Sequence, residues 1–350
     1  MGDFLPGREL ARAFYEEAVA PAVAAYEHAA AFIGFGSDVL GFDSARSTDH
    51  GWGPRFELFV AADRIDAVSS IVEGALPETF RGWPTRFGWD AAAVRHHVQI
   101  VELGPWLKNR LGADPSNGLT SIDWLSMPHQ RLAEVTQGPV FHDGSGVLAR
   151  VRAELAWYPD QVWMYVLASQ WRRIAQEQAF VGRTAEAGDA LGSRVVAARI
   201  VRDLMRLCFL LERRYPPYSK WLGTAFSKLA AADALQPELE RALSAATYTE
   251  RQAALAAAYG MLGEQQNALA IAPRVDPEPH QFYGRPYVVA PAEDFVAACL
   301  SRIDDPWLAS LAPVGSVDQF ADSTDVLARP RAAFAITNAL LADGDQGWRR

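Results

Sequence analysis

Between Phe32 and Arg55 an apolar run ends in Gly34-Phe35-Gly36-Ser37, and eleven residues later comes Asp49-His50-Gly51-Trp52-Gly53-Pro54-Arg55. A Gly-Ser turn that closes a strand exposes backbone N–H groups, which suit phosphate oxygens. An aspartate a dozen residues downstream can hold a divalent cation, whose preferred ligands are oxygens. Other chemistry-bearing residues do not group in this way. His96 and His97 are adjacent, so on a strand they face opposite sides, and His142-Asp143 reads as a turn. There is no HExxH or paired-cysteine pattern, no Gly-rich lysine loop, no strand–GxGxxG–helix unit and no nucleophilic serine elbow. These absences set aside zinc, P-loop hydrolysis, dinucleotide redox chemistry and serine hydrolysis.

The elements that would position the Gly-Ser turn and the aspartate alternate along the first half. Arg8–Ala31 has helical spacing, with Leu10, Phe14, Val19, Val23 and Tyr26 on one stripe. Ala31–Phe35 suits a short buried strand, and Phe56–Val60 alternates as a strand should. Asp63 is placed to cap a helix running to Val72. A strand over Val98–Leu103 and helices over Gly104–Leu111 and Pro128–Thr136 follow, then a hairpin or tight turn at Val140–Leu148 around Asp143-Gly144. From Tyr158 onward long helical patterns dominate: Asp160–Gln178, Ala190–Arg214, Tyr218–Ala232, Pro237–Gln266 and Ala292–Ile303. The last twenty residues read as a terminal helix and a polar end. The pattern predicts an α+β domain over 1–157, a mixed sheet with flanking helices, followed by a helical-bundle domain over 158–350.

The chain has 350 residues, half of them hydrophobic and 21% charged, enough for two globular cores. Its net charge of −9 disfavours nucleic acid as a partner, because that interaction needs a basic surface. Cys208 and Cys299 lie far apart in apolar helical contexts and read as buried free thiols of a reducing compartment. No secretory signal and no apolar run of about 20 residues is visible, so the expectation is a cytoplasmic protein with no membrane partner.

Gly36-Ser37-Asp38-Val39-Leu40-Gly41 and Ser47–Arg55 resemble the nucleotidyltransferase superfamily, and more closely a bacterial nucleotidyltransferase-like family known as a domain of unknown function. Phe141-His142-Asp143, Val181-Gly182-Arg183, Gly188–Ser193, Tyr215–Gly223 and Gly315–Phe320 extend the resemblance over most of the chain. It implies ATP or another nucleoside triphosphate as substrate, bound with Mg²⁺ in a cleft between the domains, with a nucleotidyl group passing to a small-molecule or protein acceptor. In that scheme Gly36 and Ser37 cradle the phosphates and Asp49 is the first metal ligand, while Arg55 is either a phosphate contact or, equally, one half of a structural ion pair with a nearby carboxylate. The superfamily's third acid falls on a neighbouring strand, where Glu102 and Gln99 compete for the place. Lys220, one of only three lysines, is the first candidate to reach the triphosphate from the helical domain, with Arg183 and Tyr218 the next candidates for that role.

The sequence departs from the pattern at Gly51, where the superfamily has its second metal-binding carboxylate. Asp43, Asp38 and His50 are the candidate substitutes. A second reading follows: a catalytically degenerate protein that binds a nucleotide or a partner without turnover.

Overall fold

The computed structural model describes residues 3–89 and 93–342. Contacts divide the chain into two compact units, one of Met1–Thr120 with Gln130–Ala156 and one of Ser121–His129 with Trp157–Arg350.

The first unit is built on a mixed sheet. Its strands are β1 (Ala29–Ala31), β2 (Arg55–Phe59), the short hairpin β3 (Thr79–Phe80) and β4 (Trp83–Pro84), then β5 (Arg86–Phe87), β6 (Arg95–Val101) and β7 (Val140–Asp143). Five of them form one sheet in the order β5-β6-β2-β1-β7. β2 runs parallel to β6 with Glu57 opposite Gln99, whereas β1 is antiparallel to β2 and β7. β2, β6 and β7 therefore end at the same edge of the sheet. Alternation decides what each face carries. Phe56, Leu58 and Val60 enter the hydrophobic core with Leu10, Phe14 and Val72. Arg55, Glu57 and Phe59 take the other face, yet all three are buried.

Several boundaries differ from the sequence expectation. The single helix expected over Arg8–Ala31 is Gly7–Phe14, a π-turn segment over Tyr15–Val19 and a short helix Ala20–Val23, after which Ala29–Ala31 is already strand. Helical spacing persisted into the strand because alanine fits either. Asp63 lies inside a short 3₁₀ turn, Ala62–Arg64, and the helix proper is Ile65–Ala75. Of the hairpin or tight turn expected at Val140–Leu148 the structure has the turn, between strand Val140–Asp143 and a helix, Val147–Glu154. Asp143 explains why: its Oδ2 accepts from the Ala149 backbone N–H at 2.8 Å and ties the turn to a helix start.

The second unit is helical, with Asp160–Glu177, Phe180–Glu186, Ala190–Leu211, Ser219–Phe226, Ala232–Ser244, Tyr248–Ala268 and Ala292–Leu300 as its main elements. The long pattern over Pro237–Gln266 is two helices, since Thr247 and Glu250 form a capping box that starts the second. Helix Ser121–Ser126 packs on the terminal helix Pro330–Ala342. Of the last twenty residues, expected as a helix and a polar end, 343–350 lie outside the described residues. Both cysteines are free and buried. No helix among the described residues is long and apolar enough to cross a membrane.

Candidate functional site

Gly34–Ser37 leaves β1 as a bend and continues as the turn Ser37–Gly41, in which Phe42 N–H donates to the Ser37 carbonyl at 2.8 Å. Ser37 is half-buried. Gly36 has φ +122°, and a Cβ there would collide with the Asp38 carboxylate and the Arg55 guanidinium, so the turn needs glycine on both counts.

Asp49 does not lie on a strand. It ends the 3₁₀ segment Ala45–Asp49, exposed, and β2 begins only at Arg55. Ser44 and Ser47 bond reciprocally as a capping box, and that local bonding draws the segment into a turn. Gly51, with φ +63°, brings the chain back beside the turn: a Cβ on it would sit 3.5 Å from the Trp89 ring and 3.7 Å from the Phe35 ring.

Of its two expected roles Arg55 takes the structural one. The residue is 4% exposed. It donates to Asp38 Oδ1 at 2.7 Å and the Phe35 carbonyl at 2.8 Å. The Phe32 and Phe35 rings lie 4.7 and 4.5 Å from it. A cation so engaged is a structural ion pair, and it is not offered to a phosphate. Two of the three substitutes considered for the missing carboxylate are engaged in the same way, and the third, His50, is exposed. Asp38 holds Arg55, and Asp43 Oδ2 accepts from Gly7 N–H at 2.7 Å and Trp52 Nε1 at 3.0 Å.

Glu102 is a correction to the expected roles. The parallel register sets Arg55 against His97 and Phe59 against Val101, so Glu102 lies five residues beyond the level of Arg55. At about 3.3 Å per residue that is about 16 Å along the strand. It stands at the opposite edge of the sheet from the Gly-Ser turn, too far to share an ion with Asp49. The residue beside Glu57 is Gln99, whose amide nitrogen, turned to donate, lies 2.6 Å from Glu57 Oε2.

Sequence reasoning weighs Glu57 only as a possible partner of Asp49 on one strand and sets it aside as too distant to share an ion. It is 4% exposed. Burial pushes its carboxyl up to about 7, against the opposing pull of Arg110 and Arg55. Also unforeseen is an aromatic wall: Phe35 and Trp89 lie 5.9 Å apart, and Trp89 and Phe87 each pack on His97, at 4.7 and 4.4 Å. Phe35 is exposed and Trp89 half-exposed, so a planar group can stack there. Scattered over 35, 87, 89 and 97, these residues have no sequence spacing that betrays them.

The donor set does not fit a metal held by the protein. Asp49 has Gly51 as its neighbour, Glu57 is hydrogen-bonded to Gln99, and Glu102 is remote. Among the described residues no group of three or more His, Cys, Asp or Glu converges to hold an ion.

In the second unit Arg183 is exposed on helix Phe180–Glu186, its guanidinium 5.7 Å from the Phe180 ring. Tyr218 precedes helix Ser219–Phe226 and is exposed, and Lys220 stands in that helix's first turn with Nζ 5.1 Å from the Trp221 ring.

Residues 124–222 match DUF4037, a domain of unknown function. The DUF4037 match takes in four motifs on which the resemblance was built, from Phe141 into the Tyr215–Gly223 stretch, and includes Arg183, Tyr218 and Lys220. A nucleotidyltransferase-like protein from Exiguobacterium sibiricum 255-15 is a solved structure similar to 79% of this chain and 82% of its own, at 12% identity and a TM-score of 0.34. A likeness that weak carries no argument about fold or chemistry. No curated protein matches the sequence.

Proposed function

We propose that the chain is a nucleotidyltransferase-like protein that takes up a nucleoside triphosphate at the Gly34–Ser37 turn and holds it without transferring a nucleotidyl group. The observation that carries this reading is the pairing of Glu57 with Gln99 across β2 and β6, which leaves Asp49 as a lone exposed carboxylate beside Gly51. Transfer to a small-molecule or protein acceptor would need at least one more carboxylate near the phosphates to hold metal or take up a proton. Gly34 N–H is bonded to the Glu134 carbonyl, so Gly36 and Ser37 are the turn's N–H groups for phosphate, and the Phe35–Trp89 wall supports stacking of the base. Divalent metal, on this reading, arrives with the nucleotide and meets Asp49 alone. Arg183, Tyr218 and Lys220 remain proposals for triphosphate contact from the helical unit, and a cytoplasmic setting is proposed on the two free cysteines.

Calorimetric titration with ATP, with and without Mg²⁺, tests the reading when a pyrophosphate assay is run on the same samples. The expected result is saturable heat, a metal-dependent gain in affinity that Asp49→Ala abolishes, and no pyrophosphate above background. Steady pyrophosphate release would overturn the claim of binding without transfer. Absence of heat would overturn the site.

A further inference from the structure

Helix Leu103–Leu111 follows β6 and brings Arg110, in its last turn, back to the Gly-Ser turn. A Cβ on Gly34, whose φ is +97°, would stand 3.1 Å from Arg110 Nη2 and 3.2 Å from Glu57 Oε1. Glycine at this position is what lets the guanidinium lie against the turn. Arg110 is half-buried, its Cζ 5.8 Å from the Phe35 ring and 5.4 Å from the Trp106 ring. Phe35 thus adjoins both Arg110 and the aromatic wall.

The carboxylates that attract Arg110 are already taken. Glu57 is held by Gln99. Glu134 accepts from Arg131 Nη1 at 2.8 Å and from Gln130 Nε2 at 3.1 Å. Among the described residues no oxygen accepts a hydrogen bond from Arg110 and no carboxylate lies within ion-pair distance of it. Burial disfavours such an uncompensated charge and holds the guanidinium below its usual range, against the opposing pull of Glu57 and Glu134. Asp38 is offset by Arg55 and Glu134 by Arg131, while Glu57 is raised to about 7. Below neutral pH the charge of Arg110 is therefore left in excess beside the turn.

We infer that Arg110 takes the phosphate chain of the nucleotide, its planar fork of N–H donors completing what the Gly36 and Ser37 backbone begins. This rests on the proposed uptake of a nucleoside triphosphate at the turn, and it assigns to Arg110 the cation that Arg55, closed in by Asp38 and two rings, does not offer. An oxyanion placed there gains donors that no protein oxygen uses.

The test is calorimetric titration of two probes, ATP and inorganic tripolyphosphate, into the parent and into Arg110→Gln at fixed ionic strength and about pH 6.5, below the Glu57 value. At that pH the variant leaves no ionised Glu57 stranded, and circular dichroism checks that it folds as the parent does. The inference expects saturable binding of both probes to the parent and an affinity at least about tenfold weaker for each in the variant. Phenylglyoxal labelling of the parent, read by mass spectrometry, tests the same contact without a substitution: tripolyphosphate is expected to suppress the adduct at Arg110. Equal affinities in the two proteins, or labelling that tripolyphosphate leaves unchanged, would overturn the inference and leave the nucleotide reading standing. Tripolyphosphate bound through Arg110 with no binding of ATP would do the reverse, keeping the anion contact and overturning the nucleotide reading. Heat from neither probe would overturn both.

Discussion

Arg55 shows how one residue type serves opposite roles according to burial. Its charge, its place after the Asp49 segment and its proximity to the turn all suited a phosphate ligand. The structure closes it in with Asp38, Phe32 and Phe35. Removing one partner of a buried ion pair strands the other, so Arg55→Ala is expected to cost about 3–5 kcal/mol in urea unfolding. A phosphate ligand would give the opposite outcome, stability kept and nucleotide affinity lost. Glu57 yields a second prediction at this scale. Its folded carboxyl, raised from 4.5 to about 7, holds its proton more tightly than the unfolded chain does. The stability it contributes is present below pH 4.5 and is lost as pH rises through about 7, a loss of ~3 kcal/mol. Glu57→Gln is expected to flatten that part of the stability–pH profile. A profile unchanged from the parent would show that Glu57 is not the titrating group.

Turns and strand ends, more than strands, decide what this sheet can do. The Gly34–Ser37 turn was legible because glycine and serine are informative about backbone. The strand Phe56–Val60 was legible because its alternation is strict. What was not legible is the segment between them. Ser44 and Ser47 cap a 3₁₀ turn, so Asp49 ends a helix-like segment instead of lying on a strand. The choice between Gln99 and Glu102 could not be read from one strand, because register is a property of two. Gly51 is the hinge of this loop. Gly51→Asp must adopt φ +63°, a left-handed conformation that aspartate tolerates at about 1 kcal/mol, and the space beside Trp89 and Phe35 admits the side chain. The expected outcome is a folded protein with a small drop in melting temperature and tighter binding of Mg-nucleotide than of nucleotide alone. Loss of cooperative melting would show that the loop cannot accept a side chain.

The chain is not divided by a single cut. The change to helical patterns near Ala156–Asp160 was visible in composition, but Ser121–His129, earlier in the chain, belongs to the second unit. No local pattern announces such an excursion, because it depends on contacts made with residues almost two hundred positions away. His129 N–H donates to Asp318 Oδ2 at 2.9 Å, and Ser121 Oγ to Asp305 Oδ2 at 3.3 Å. Trp124 and Leu125 are buried. A fragment of 157–350 is therefore expected to melt less cooperatively and at lower temperature than the same unit in the whole chain, and adding the 121–129 peptide in excess to raise its melting temperature. His129 adds a pH dependence to that unit. Burial holds its imidazole below the usual range, so the unfolded chain takes up a proton first and stability falls as pH drops below about 6.5. Retention of full stability at pH 5 would contradict that assignment.

The most direct test of the account is a crystal of the protein soaked with ATP and Mn²⁺, read by difference density and by the anomalous signal of manganese. The account predicts phosphate oxygens against the Gly36 and Ser37 backbone, the adenine on the Phe35–Trp89 wall, and one manganese whose sole carboxylate ligand is Asp49. A triphosphate bound elsewhere, or a manganese gripped by Glu57 together with Asp49, would contradict it.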